Sequence, residues 1–193
     1  MSFRPRLLTV AVLVALSGAA SAPAFAQPTY DGHLCCNLRT DGSWASDSNY
    51  AESGKRVVPV GTPTRVTGYG RYRVQVDFAG SKQAIGNDYS RDLDLGTFAQ
   101  RWVVQADPNA KIASYPPKIR EAIKSARITR GMTRDQVFMA VGYPISSENP
   151  NLDAPVLRYW ISSFGEYQVA FDNAGRVREV TTDPQTRNLV VMD

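Results

Sequence analysis

The stretch Ile128-Thr129-Arg130-Gly131-Met132-Thr133-Arg134-Asp135-Gln136-Val137-Phe138-Met139-Ala140-Val141-Gly142-Tyr143-Pro144 decides the fold of the C-terminal half. Thr133 can accept from the first free backbone N–H groups of a helix, and Gln136, three residues on, can reach back to the Thr133 amide. Met132 and Val137 are placed to close a hydrophobic staple across that cap. Val137, Ala140 and Val141 recur at helical spacing. Gly142 then supplies a left-handed terminator, and Pro144 cannot continue the helix. A short, sharply delimited helix is predicted.

Upstream, Ile119, Ala122, Ile123 and Ala126 share one face of a second helix opened by Pro116-Pro117. Downstream, a loop rich in Ser, Asn, Pro and Asp (146–153) leads into Leu157-Arg158-Tyr159-Trp160-Ile161, where bulky and β-branched residues mark a strand. Tyr167, Val169 and Phe171 alternate with polar or small residues. Asp172-Asn173-Ala174-Gly175 then turns the chain into Val177, Glu179 and Thr181. The order predicts an α+β unit over 116–193, two helices packed on a three-stranded antiparallel sheet.

The run Gly-Met-Thr-x-x-Gln-Val-x-x-x-x-Gly-x-Pro, followed by "RYWISS" and "EYQVAFDNAGRVREV", resembles the SmpA/OmlA (BamE-like) family of outer-membrane assembly lipoproteins. The resemblance covers the last third of the chain. Its signature residues here are Gly131, Thr133, Gln136, Val137, Gly142 and Pro144, each of which also has a plain structural reading as cap, terminator or core. What it implies is a non-enzymatic envelope protein that binds another protein through a sheet face or strand edge. Tyr143, Tyr159, Trp160 and Tyr167 are the candidate anchors, because aromatic side chains supply large apolar area with few rotamers to freeze. Core packing is the competing reading for Trp160.

Residues 1–26 carry Arg4 and Arg6, an apolar run from Leu7 to Leu16, and small residues ending Ala24-Phe25-Ala26. That pattern predicts a secretory signal peptide cleaved near Ala26 and a periplasmic or otherwise exported mature chain. The apolar run is short for a bilayer, and no later segment approaches about twenty apolar residues. Members of the assembly-lipoprotein family carry an acylated Cys directly after that run. Here Cys35 and Cys36 lie downstream, so outer-membrane association is expected through partners rather than through a lipid.

The mature length of about 165 residues suits two small modules. Between Asn37 and Tyr89 turn signals recur quickly, at Asp41-Gly42, Ser53-Gly54, Gly61, Gly68, Gly70, Ala79-Gly80 and Gly86-Asn87, with strand-like pieces between them. The segment "VVPVGTPTRVTGYGRYRVQVDFAGSKQAIGNDYS" is similar to bacterial Src-homology-type small barrels. Leu95, Phe98, Ala99 and Trp102 mark a helix capped by Asp94. An all-β barrel-like module with a closing helix is therefore expected over 27–105, and a linker over 106–115.

Losing Arg4 and Arg6, with no acidic residue beside them, lowers the formal charge from +4 to +2. Without a Lys/Arg-rich run, the mature chain lacks the footprint of a nucleic-acid binder. Arg71 and Arg73 beside Tyr69 and Tyr72 fit simple strand alternation, with Tyr72, Val74, Val76 and Phe78 inward. A cell-wall module is the alternative function, with Trp44, Tyr50, Tyr69 and Tyr72 lining a groove for peptidoglycan glycan or peptide.

Catalytic signatures are sparse. The one histidine, His33, stands near Cys35 and Cys36 in what reads as an unstructured leader segment, and no second His-Cys pair completes a zinc site. No metal or cofactor is expected. No P-loop, Gly-x-Ser-x-Gly elbow or His-Glu-x-x-His is present. Cys35 and Cys36 are redox candidates. Across a trans peptide, however, their Cα atoms lie about 3.8 Å apart, below the usual disulfide range of about 4.4 to 6.8 Å. A buried thiol with an exposed neighbour is the expected arrangement, and thiol redox function ranks last.

Overall fold

The structure, a computed structural model, describes residues 27–193, so the expected signal peptide lies outside the described residues. The described chain is α+β, with a six-stranded sheet curled into a half-barrel, a three-stranded antiparallel sheet, and five helices. No helix among the described residues is long and apolar enough to cross a membrane.

The N-terminal half holds β1 (Tyr30–Leu34), β2 (Leu38–Thr40), β3 (Trp44–Ser46), β4 (Arg56–Val58), β5 (Pro63–Tyr69), β6 (Arg73–Phe78), β7 (Ser81–Gly86), α1 (Leu95–Trp102) and β8 (Val103–Val104). Its large sheet runs β3-β7-β6-β5-β1-β8, and β2 pairs with β4 as a separate ribbon. The β6–β7 hairpin turns through Ala79 and Gly80, at φ 51° and 97°, the pair of positive φ values that matches the twist of the flanking strands. The predicted alternation is present: Val74, Val76 and Phe78 are buried, whereas Gln75 is exposed and Arg73 and Asp77 are half-buried. These side chains meet Val66, Ile85, and Phe98, Ala99 and Trp102 of α1, whose cap Asp94 accepts from the Thr97 amide at 2.9 Å.

The stretch read as a linker contains β8's exit and a further helix, α2 (Pro108–Ala113). Asp107 caps α2 and Pro108 opens it. Asp107 accepts from the Asn109 amide at 2.9 Å, and the fixed φ of Pro108 suits the first helical position.

The C-terminal half holds α3 (Pro117–Lys124), α4 (Arg134–Val141), β9 (Val156–Ser162), β10 (Gly165–Phe171), β11 (Val177–Thr181) and α5 (Pro184–Val190). The sheet order β11-β10-β9 is a meander. The α4 cap is a full capping box: the Gln136 amide donates to Thr133 Oγ1 at 3.4 Å, and the Thr133 amide donates to Gln136 Oε1 at 2.8 Å. Ile119, Ala122 and Ile123 of α3, Val137, Ala140 and Val141 of α4, and Leu157, Val169, Phe171, Val177 and Val180 of the strands share one buried cluster.

Two buried asparagines join the halves. The last carbonyls of any helix have no partner within it. Asn37 Nδ2 donates to the Ile123 carbonyl at 2.6 Å and the Ala140 carbonyl at 3.0 Å, its Oδ1 accepts from the Val60 amide at 3.0 Å, and its amide donates to Met139 O at 2.9 Å. Asn49, held at φ 54°, donates through Nδ2 to Val141 O at 2.8 Å and to Asn37 O at 3.0 Å. The C-terminal end of α4 is thus capped by side chains of the other half. Gly142, at φ 87°, completes the joint: a Cβ there would lie 3.0 Å from the Trp102 ring and 3.1 Å from Asn49 Nδ2.

Candidate functional site

A groove of about 450 Å³ opens where the edge strand β3 meets the loop after β7, lined by Trp44, Ser46, Ser48, Tyr50, Glu52, Lys55, Arg73, Asp88, Tyr89, Arg91 and Ser163. Its construction starts at Asp41, whose Oδ1 accepts from the amides of Ser43 and Trp44, both at 2.8 Å, and so sets the turn that launches β3. The same bonds hold the Asp41 carboxyl below its usual range. β3 runs parallel to β7, with Trp44 opposite Ala84 and Ser46 opposite Gly86.

Gly86 is what lets the polar groups converge. A Cβ there would sit 2.6 Å from Asp88 Oδ2, 2.8 Å from Trp44 Nε1 and 3.0 Å from Arg73 Nη1. Arg73 Nη1 pairs with Asp88 Oδ1 at 2.9 Å, Ser46 Oγ donates to Asp88 Oδ2 at 3.0 Å, and the Arg73 guanidinium lies 5.3 Å from the Trp44 ring centre. Trp44 Nε1, a donor only, has no partner among the described residues although it is shielded from water.

The loop carrying Asp88 and Tyr89 hangs from buried Asp47, whose carboxylate accepts from the Asp88 amide at 3.2 Å and the Tyr89 amide at 3.1 Å. Burial pushes the Asp47 pKa up, against the opposing pull of hydrogen bonds from Ser90, Tyr89 and Asp88. Opposite charges pair along the rim, with Lys55 on Glu52 at 3.0 Å. Arg91 stacks 4.3 Å over the Tyr72 ring. Burial also raises the Tyr50 phenol, which remains a neutral donor and acceptor.

The four residues expected to line a groove divide. Trp44 and Tyr50 do line it, and Tyr72 sits alongside under Arg91. Tyr69 faces elsewhere, its hydroxyl donating to Pro28 O at 3.0 Å and its ring against the half-barrel core. Tyr89, Asp88 and Arg91 were not anticipated. Their signal was the Gly86-Asn87 turn, legible as a turn but not as a platform. Ser163 is contributed by the β9–β10 hairpin of the other half, which no local pattern could announce.

The four aromatic anchors fare differently. Tyr159 and Tyr167 are 5% and 2% exposed and stack at 5.3 Å inside the core, so neither presents a face to a partner. The reason is position: both point from paired strands into the shared cluster, and burial raises both phenol pKa values. Trp160 is half-buried and donates through Nε1 to Glu148 at 2.9 Å. Tyr143 is half-buried at the joint, stacked on Phe138 at 4.5 Å with Arg101 5.6 Å from its ring.

The expectation for the cysteines is corrected. Cys35 and Cys36 are bonded to each other across a Cα separation of 3.8 Å, and both are buried, at 7% and 1% exposure. They form one wall of a cavity of about 260 Å³ that also meets Lys111, Asp135, Phe138, Met139 and Tyr143. His33 stands on β1 rather than on an unstructured leader, half-buried between Pro63 and Val104. No cluster of three His, Cys, Asp or Glu suited to a metal occurs among the described residues.

No family model, curated protein or solved structure matches this chain.

Proposed function

We propose that this chain is a non-enzymatic, exported binding protein of the cell envelope whose groove beside β3 takes a cell-wall saccharide or its attached peptide. The observation that carries the reading is the unpartnered Trp44 Nε1 set among Tyr50, Tyr89 and an Arg73–Asp88 pair. Aromatic faces hold the C–H surface of a sugar, while a waiting donor and paired charges offer hydrogen bonds to hydroxyls, amides and carboxylates. Near-balanced charge along the rim favours a ligand of mixed sign over a polyanion.

Sedimentation with purified peptidoglycan tests this. The wild-type protein should pellet with the wall, and Tyr89→Ala and Trp44→Ala should leave most protein in the supernatant while keeping the fold by circular dichroism. Wild-type protein that stays soluble, or folded variants that pellet as well as the parent, would sink the reading.

A second reading concerns the C-terminal half: an SmpA/OmlA-like unit, two helices on a three-stranded sheet, that adheres to an envelope protein. It is supported by the single buried cluster shared by α3, α4 and β9–β11. With Tyr159 and Tyr167 inside, Tyr143 and Trp160 are the remaining aromatic anchors. Crosslinking in intact cells with Tyr143→Ala and Trp160→Ala variants checks it, and unchanged capture by both would remove those side chains from consideration.

A further inference from the structure

A second cavity, of about 600 Å³, lies on the C-terminal half, bounded by Lys118 of α3, the segment Ile128 to Arg130, β11, and Val191 to Asp193. That volume falls within the range of ordinary ligand sites. Its floor is anchored on both sides: the Ile128 amide donates to Val190 O at 2.7 Å, the Met192 amide to Ile128 O at 2.8 Å, and the Gly131 amide to Val177 O at 2.8 Å.

Four cations line it, Lys118, Arg130, Arg178 and Arg187. Arg187 is engaged by Asp193 at 3.0 Å, while among the described residues the other three have no carboxylate within salt-bridge distance. Glu179 is the other acidic group on the wall, leaving three uncompensated cations against one carboxylate. Thr129, 1% exposed, also lines the cavity, and its Oγ1 has no partner among the described residues. A buried hydroxyl left unbonded is costly unless something supplies an acceptor. β11 is the terminal strand of its sheet, and beyond Val177 no other strand pairs with its outer edge among the described residues, where Arg187 of α5 donates through Nη1 to the Val180 carbonyl at 3.4 Å.

We propose that this cavity and the open edge of β11 bind an extended, carboxylate-bearing protein segment. The proposal deepens the adhesion reading of the C-terminal half, on which it rests for the class of partner. An added strand would use the outer backbone groups of β11 beyond Val177, sharing the Val180 carbonyl with Arg187. Its carboxylates would meet Arg130 and Arg178, whose planar forks match a carboxylate in two parallel hydrogen bonds, and Lys118 as a point charge. The Thr129 hydroxyl would donate to one of these oxygens or to a backbone carbonyl. A single phosphate group is a poorer fit, because the cations come from three separate elements spread along a groove beside a strand edge.

The test uses the purified mature chain and a short fluorescein-labelled peptide alternating valine and glutamate, with a glutamine-for-glutamate twin and inorganic phosphate as competitor, read by anisotropy. The acidic peptide should bind, weaken as salt rises, and lose affinity on the order of tenfold in an Arg130→Gln/Arg178→Gln variant. Both arginines are exposed, so that variant should unfold at the parent's temperature. Thr129→Val should weaken binding by about threefold, and Arg91→Gln, in the other groove, should change nothing. Equal affinity for the two peptides, no binding of either, or binding that survives the double substitution would overturn the proposal. So would tight phosphate binding without peptide binding. Cellular capture that depends on Tyr143 or Trp160 but not on Arg130 and Arg178 would discard this site while leaving the adhesion reading standing.

Discussion

The two sheets of this molecule are assembled by opposite rules. In the C-terminal half the strand order β9-β10-β11 follows the chain, so neighbours in sequence are neighbours in space. In the N-terminal half β1 is inserted between β5 and β8, and β3 reaches over to lie parallel to β7. Aromatic residues show what this changes. Tyr159 and Tyr167 stand on a meander lined by one core and are swallowed by it, whereas Trp44 stands on an edge strand and Tyr89 on a loop, where both line an open groove. Residue type therefore says little about role until the partner of each strand is known.

That contrast is most severely tested at Tyr167. Tyr167→Ala should destabilise the protein by about 3 to 5 kcal/mol, as large aromatic truncations in a core do, while Tyr89→Ala, at a residue 46% exposed, should leave the urea midpoint nearly unchanged. Equal effects at the two positions would erase the distinction between core and groove.

The joint comes next. Asn37→Ala orphans the Val60 amide and two helix carbonyls at once, so a loss of about 3 kcal/mol or more is expected in chemical denaturation. A loss under about 1 kcal/mol would mean that water replaces the side chain and the halves are joined by apolar contact alone.

A smaller effect is expected at the α4 N-cap. Thr133→Ala removes one half of the capping box and should lower stability by about 1 kcal/mol. Acid should expose the related caps. Hydrogen bonds from the Thr97 hydroxyl and amide lower the Asp94 pKa, and those from the Thr186 hydroxyl and amide lower that of Asp183. A carboxyl depressed in the folded state stabilises above its unfolded value of 3.8, and that contribution is lost as pH falls through the folded value. Asp94→Asn should therefore flatten the dependence of stability on pH below that value, measured by urea titrations across the acid range. The smallest effect is reserved for Phe164, 97% exposed at the tip of the β9–β10 hairpin: Phe164→Ala should shift stability by less than about 0.5 kcal/mol.

How much of this was legible differs between the halves for the same reason. The capping box, the Gly142 terminator, the α1 cap at Asp94 and the three C-terminal strands are all encoded within a few residues of where they act, and each is present. α2 and α5 were both missed, although Asp107-Pro108 and Asp183-Pro184 carry the same cap-and-proline signature. Two of the four aromatic anchors, Tyr159 and Tyr167, and one of the four groove aromatics, Tyr69, were misplaced, because alternation assigns a side chain to a face without saying what covers that face.

Local sequence by itself determined the capping, turn and strand signals, since those depend on hydrogen bonds and hydrophobic periodicity spanning three or four residues. Only the tertiary structure decided that Asn37 and Asn49 seal α4, that Gly86 makes room for Trp44 and Arg73 beside Asp88, and that Thr129 opens onto a cationic cavity. Each of these joins residues through space, and a one-dimensional pattern carries no term for the distance between strands that chain order keeps apart.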